Sequence, residues 1–172
     1  MARGRIIGLQ SLQAKMKKIP QEARSAIKQA LAESADDMVA TMKSLAPVSA
    51  TGSHGWPPGM LQDSIVATFG DGEVPKYAAF RQKRRGSKRR IQAKDPDLSV
   101  TITAGNDIVR YAHMVEFGTA PHTNGGKFAG TSHPGTAAQP FFYPGYRAHK
   151  KRVKAKVTRA INRAAKKVAA GG

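Results

Sequence analysis

The sequence contains no cysteine, which excludes disulfides, thiolate metal sites and cysteine nucleophiles and suits a reducing compartment. Acidic residues are scarce: 11 Asp and Glu face 29 Lys and Arg, and none follows Glu116. The formal net charge of +18 favours polyanions or acidic protein surfaces as partners. No apolar run approaches the roughly 18 residues of a membrane span, and the basic start lacks a signal peptide's apolar region. We therefore expect a soluble, non-secreted protein with no membrane partner.

Patterns typical of enzymes are also missing. The sequence has no Gly-x-Ser-x-Gly motif, and residues 125–128 lack the glycine spacing and the hydroxyl of a phosphate-binding loop. His113 and Glu116, with His122 or His133, could supply zinc ligands, but the His-Glu-x-x-His spacing is absent. We expect no enzyme, no metal site and no cofactor, and a hydrolase or metal enzyme is the weakest of the hypotheses.

Apolar residues at helical spacing predict helices near both ends of the chain. Residues 8–46 are expected to hold two of them, separated at Pro20 and ending at Ala46-Pro47. A third is predicted over 144–169, where cations surround an apolar stripe. The apolar positions are Leu9, Leu12, Met16 and Ile19 in the first helix, Ile27, Leu31, Ala35, Met38, Met42 and Leu45 in the second, and Tyr146, Val153, Val157, Ile161, Ala164 and Val168 in the third.

Alternating apolar residues predict three strands, over 61–69, 75–81 and 98–104. Pro75 confines the second strand to a sheet edge or a strand start. Residues 48–59 and 119–143 are rich in glycine and proline and are expected to be long loops. These elements predict one α+β domain over 1–172, in which a small, mostly antiparallel sheet is packed by a long N-terminal helix and a long basic C-terminal helix.

A dense basic block interrupts the predicted sheet region of 60–118, within a loop over 81–94. Self-repulsion among its cations should keep it extended until an anionic partner orders it. It is dense enough to bind phosphates without sequence preference, and no aromatic residues are interleaved for base stacking. The cations of the last helix are expected instead to be solvated or to meet acidic neighbours. The possible contacts to DNA or an acidic partner are Arg81, Lys83, Arg84, Arg85, Lys88, Arg89 and Arg90.

Two segments in the second half of the chain are distinctive in sequence and have no catalytic logic. The first runs from Tyr111 to Thr119 and the second from His133 to Phe142. The first follows Gly59-Met60-Leu61-Gln62-Asp63-Ser64-Ile65 in the chain. In this order, and before a last helix, these motifs resemble the tail-component family of long-tailed bacteriophages typified by gene product ten of the phage HK-ninety-seven.

The motifs also have a physical interpretation. Gly118 suits a helix end with positive φ, and Glu116 can accept hydrogen bonds from nearby backbone or an arginine. Pro140, Phe141 and Phe142 can fix the start of the last helix by burying aromatic area. Core packing is the expected role of Tyr111, Phe117 and Phe141. The structural residues of the motifs are Tyr111, Glu116, Phe117, Gly118, Thr119, Pro140 and Phe141.

The resemblance implies a structural virion protein, made in the bacterial host cytoplasm and placed in the neck or tail. It implies a role in tail completion or head-tail joining around the DNA passage, as a ring of identical subunits. The implied partners are other copies of the chain, the phage connector and tail proteins and, without sequence preference, packaged DNA. A tail terminator ring subunit and a stand-alone nonspecific nucleic-acid-binding protein remain the alternatives.

Overall fold

A computed structural model describes residues 21–51, 57–78 and 95–169 of the chain. The predicted helix over 8–19, the basic block of 81–90 with its loop to 94, and residues 52–56 of the predicted loop lie outside these ranges.

The described part of the chain begins and ends with a long helix, and short helices and strands lie between the two. Helix α1 spans Gln21–Leu45, the one-turn helix α2 Met60–Asp63, strand β1 Val66–Phe69 and strand β2 Val100–Thr103. Helix α3 spans Ala112–Phe117, strand β3 His122–Thr123, strand β4 Ser132–His133 and helix α4 Phe142–Ala169. Short 3-10 turns cover Pro96–Leu98 and Gly126–Phe128. The expected α+β class is confirmed.

The two long helices form an antiparallel pair, because residues late in α1 meet residues early in α4. Gly145 lies against Met42, where a Cβ atom on the glycine would stand 2.6 Å from the methionine Cγ. The buried His149 ring places Nε2 2.7 Å from the hydroxyl of Thr41. The missing side chain at Gly145 therefore allows the two helices to pack closely.

A small antiparallel sheet packs against α1. Strands β1 and β2 pair with Val66 opposite Thr103 and Phe69 opposite Val100, and both strands contact α1. The buried core lies between the helices, the sheet and the start of α4. Its members are Met38, Met42, Ala46, Leu61, Ile65, Ala104, Val109, Ala112, Phe141 and Phe142.

The predicted helices of α1 and α4 are confirmed, although two positions assigned to their apolar stripes, Leu45 and Tyr146, are exposed. The predicted strand over 98–104 is confirmed at Val100–Thr103. Of the strand predicted over 61–69, only Val66–Phe69 is extended. Leu61 and Ile65 are four residues apart and both buried, a spacing that the helical turn of α2 also satisfies.

Two further predictions need correction. Residues 75–78 form a turn, in which the Ala78 N–H donates to the Pro75 carbonyl, and not the start of a strand. Residues 79–81 lie outside the described part. The segment expected to be a long loop over 119–143 contains the antiparallel pair β3–β4, with His122 opposite His133, and its last two residues already belong to α4. Cross-strand backbone hydrogen bonds order this segment without apolar residues, so composition alone does not reveal it.

Candidate functional site

The carboxylate of Glu116 joins the two distinctive sequence segments. Its Oε2 accepts hydrogen bonds from the N–H groups of Phe141 and Phe142, each at 2.8 Å. Its Oε1 accepts one from Tyr143 at 3.0 Å. These N–H groups lie at the start of α4, where a helix offers donors with no partner inside the helix. A carboxylate at this end is further favoured by the helix dipole.

Glu116 is only 3% exposed, so this cap is an internal part of the fold. The N–H of Gln139 donates to the carbonyl of Val115 at 2.8 Å. This hydrogen bond holds the segment just before α4 against α3. Phe141 is fully buried beside the cap. The predicted acceptor role of Glu116 is therefore confirmed for backbone donors, and Phe141 has the predicted anchoring role, while Pro140 beside it is exposed.

Gly118 ends α3 with φ 70 and ψ −179, a backbone conformation open essentially to glycine alone. Its neighbour Thr119 pairs with Thr136 through two backbone hydrogen bonds of 3.0 and 3.1 Å. The two threonine hydroxyls lie 3.0 Å apart. The positive φ predicted for Gly118 is confirmed. The turn brings the segment after α3 back against the segment before α4.

The prediction that Tyr111 and Phe117 belong to the core is wrong. Tyr111 is 43% exposed and Phe117 is 63% exposed. Helix α3 has only six residues, and its inward side is taken by Ala112 and Glu116. The two aromatic residues consequently lie on its outward side.

These two residues form part of a larger surface, which we call the aromatic surface. Its members on the α3 side follow one another at intervals of three residues, and so do its two members on α4. The rings of Phe117 and Tyr143, 5.9 Å apart between centroids, join the two rows. The aromatic surface comprises Tyr111, Met114, Phe117, Tyr143 and Tyr146, all exposed. The three-residue spacing of the members on the α3 side is visible in the sequence. The sequence does not show that this side of α3 faces outward.

The residues considered for zinc do not form a metal site. The carboxylate of Glu116 faces three backbone donors. His122 and His133 stack on each other across β3 and β4, with ring centroids 5.0 Å apart. Over residues 21–51, 57–78 and 95–169, no group of three or more His, Asp or Glu could hold a metal ion.

Helix α4 carries many cations and no acid. Within the described ranges only one of them, Lys156, forms an ion pair, with Glu33 of α1 at 2.7 Å. The hydrogen bond from Lys156, a second from Gln29 and the lysine charge together hold the pKa of Glu33 below its ordinary value. The cations of α4 are Arg147, Lys150, Lys151, Arg152, Lys154, Lys156, Arg159, Arg163, Lys166 and Lys167.

The structure combines a buried internal cap with a group of large exposed side chains. This combination is typical of structural proteins that bind other proteins. Residues 10–118 match the family model of the bacteriophage HK97-gp10 tail component. The chain belongs to this family of phage tail components. No curated protein and no solved structure matches it.

The family match ends at Gly118, so the second distinctive segment, His133 to Phe142, lies beyond it. The Glu116 cap connects that segment to the matched part. None of the helices in the described ranges is both long enough and apolar enough to cross a membrane.

Proposed function

We propose that this tail component acts in the phage neck, where a ring of identical subunits completes the tail and joins it to the head around the DNA passage. The observation that carries the proposal is the aromatic surface. Five large side chains remain exposed although they belong to, or lie within four residues of, the segments that the Glu116 cap holds together. Exposed apolar patches of this kind mark interaction sites in soluble proteins.

The aromatic surface is a suitable contact between subunits. Burying one large apolar side chain contributes about 1.5–3 kcal/mol, so several of them in one contact could offset the repulsion between highly basic copies. Aromatic residues are also enriched where interfaces are strongest. In a ring, this surface of one subunit meets a different surface of the next, because the subunits are arranged head to tail. Such an arrangement closes into a ring when the rotation that relates neighbouring subunits divides a full circle.

The basic block of 81–90 would then face the DNA or an acidic neighbour in the neck. Seven cations within ten residues could neutralise several phosphates or carboxylates. Contacts of this kind carry no sequence information, which suits a protein that meets whatever DNA passes. The tail terminator ring remains the alternative structural role, since it would use the same subunit contacts at the tail end.

The role in joining is tested with phage that lack the gene. We expect heads and tails to accumulate unjoined, and infectivity to return when the protein is supplied. Particles that join and infect without it would refute the neck role. Unjoined but fully terminated tails favour completion or joining, whereas tails of uncontrolled length favour the terminator role.

The ring is tested separately by native mass measurement of the purified protein and of its Phe117→Asp variant. We expect a closed oligomer, in solution or after addition of neighbouring phage proteins, that the variant does not form. Tyr77→Asp is the matched control, because Tyr77 is also an exposed aromatic residue but is not part of the aromatic surface. A protein that is absent from purified particles and binds nucleic acid as a monomer would favour the stand-alone nucleic-acid-binding role instead.

A further inference from the structure

One face of α4 carries a continuous row of cations, which we call the basic row. Its members follow at intervals of four, three, four and four residues, so they lie within about 80° of one another around the helix. It comprises Arg152, Lys156, Arg159, Arg163 and Lys167. All five line one groove between α1 and α4.

We propose that the basic row binds the phosphate backbone of duplex DNA without sequence preference. The inference deepens the proposed function, because it names an ordered element of the subunit that would face the DNA. It differs from the expectation that the cations of the last helix are only solvated or meet acidic protein neighbours.

Charge complementarity is the first support. Within the described ranges Lys156 is the one member with an acidic partner, and the other four side chains are exposed. Only two acids, Glu33 and Asp37, line the groove against the five cations of the basic row, so the net charge of its lining is positive. Four cations without an ion pair outnumber the one remaining acid, Asp37, and this excess of positive charge favours an anionic ligand.

The spacing of the basic row suits a repeating anion. From Arg152 to Lys167 the row extends about 22 Å along the helix axis, at 1.5 Å per residue. Duplex DNA carries a phosphate about every 1.7 Å along its axis when both strands are counted, so a row of this length can reach several phosphates. A single carboxylate cluster on a protein would match only part of this length.

The chemistry of the groove disfavours the other occupants. Its lining includes Ala26, Ala30 and Ala160 but no Phe, Tyr or Trp, and its His149 ring is buried. A protein partner would therefore find no pocket for the large anchors that dominate tight interfaces. Single-stranded nucleic acid would find no platform for base stacking. Contacts to phosphates need neither feature.

The experiment measures binding of a 30-base-pair duplex to the full chain by fluorescence anisotropy, over a range of salt concentrations. The row variant replaces Arg152, Arg159, Arg163 and Lys167 by glutamine. The matched control replaces four exposed cations on the opposite face of α4, also by glutamine: Arg147, Lys150, Lys151 and Lys154. Both variants remove four charges and keep the basic block of 81–90, and far-UV circular dichroism checks that both remain helical.

Each phosphate contact contributes about 0.9 to the slope of log affinity against log salt. We expect the row variant to make this slope shallower by about 3.6. Between about 50 and 200 mM salt, the affinity of the row variant should therefore fall by roughly 150-fold less than that of the unchanged protein. The control should make the slope shallower by less than about 1. Equal losses in the two variants, or no loss in the row variant, would overturn the proposal.

A competition experiment separates DNA from an acidic protein partner. Poly-glutamate at equal charge concentration should displace the duplex at least tenfold less well than unlabelled duplex. Equal displacement would overturn the assignment to DNA and favour an acidic protein surface. Because both experiments use purified protein, they can fail while the joining of heads and tails still requires the protein, and the reverse also holds.

Discussion

The carboxylate of Glu116 and the backbone N–H of Phe141 form a hydrogen bond of 2.8 Å between residues that lie 25 positions apart. Glu116 belongs to the segment matched by the family model, and Phe141 lies beyond it. Two more donors share the same carboxylate. This one side chain therefore determines where α4 begins relative to α3.

Removing the cap should destabilise the whole fold. We expect Glu116→Ala to lower the free energy of unfolding by about 2–4 kcal/mol, because hydrogen bonds to charged groups are strong and buried donors would be left without an acceptor. Glu116→Gln should lose less, since its amide oxygen can still accept. Denaturation in urea measures both, with Glu73→Gln, an exposed acid, as the control. A loss in Glu116→Ala no larger than in the control would contradict the structural role of the cap.

Truncation should lower the stability of the fold strongly at one phenylalanine of the motifs and hardly at all at the other. Phe141 is 0% exposed, and Phe141→Ala should cost about 3–5 kcal/mol of stability through lost burial and the cavity left behind. Phe117→Ala should stay within about 0.5 kcal/mol, as most surface substitutions do. Thermal or urea unfolding at a concentration where the protein is monomeric measures the difference. Similar losses in both variants would place Phe117 in the core after all.

The long helices and strand β2 could be predicted from the sequence because their periodic patterns run over many residues. Short elements were harder. Leu61 and Ile65 fit either an alternating strand or a helical turn, and only packing against Met42 and Ala46 in the core decides for the turn. The orientation of the six-residue α3 likewise depends on Glu116, whose partners lie more than twenty residues away.

The cap and the basic row show what sequence reasoning can and cannot find. The acceptor role of Glu116 followed from its chemistry, but its three donors could not be identified without the fold. The basic row could have been found, because Arg152, Lys156, Arg159 and Arg163 follow the same spacing rule that identified the apolar stripe of this helix. Periodicity applied to charges as well as to apolar residues would have separated the two faces of α4.

A side chain at Gly118 should disturb the connection between α3 and the pair β3–β4. A Cβ atom there would stand 2.6 Å from the carbonyl oxygen of Thr136 and 2.9 Å from the Ala138 nitrogen, on a backbone with φ 70. We expect Gly118→Ala to cost more than the roughly 1–3 kcal/mol of backbone strain alone. Gly126→Ala is the control, because Gly126 has φ 61 but open space around it. Equal losses of unfolding free energy would show that the contact with Thr136 relaxes without cost.

The ion pair between Lys156 and Glu33 should be visible in the titration of Glu33. Because the pKa of Glu33 is lowered in the folded chain, the pair stabilises the fold above the ordinary pKa of glutamate, and this contribution disappears as the pH falls through the lowered value. The effect on stability should be small, since the glutamate is exposed and such pairs are screened by solvent.

In Lys156→Gln, carboxyl carbon NMR should show the pKa of Glu33 rising towards its ordinary value. The rise should be only partial, because the hydrogen bond from Gln29 remains. Lys154→Gln removes a charge from the opposite face of α4 and should leave the titration unchanged. If Lys154→Gln shifts the Glu33 titration as much as Lys156→Gln does, the general positive field of α4 rather than the direct contact lowers the pKa of Glu33.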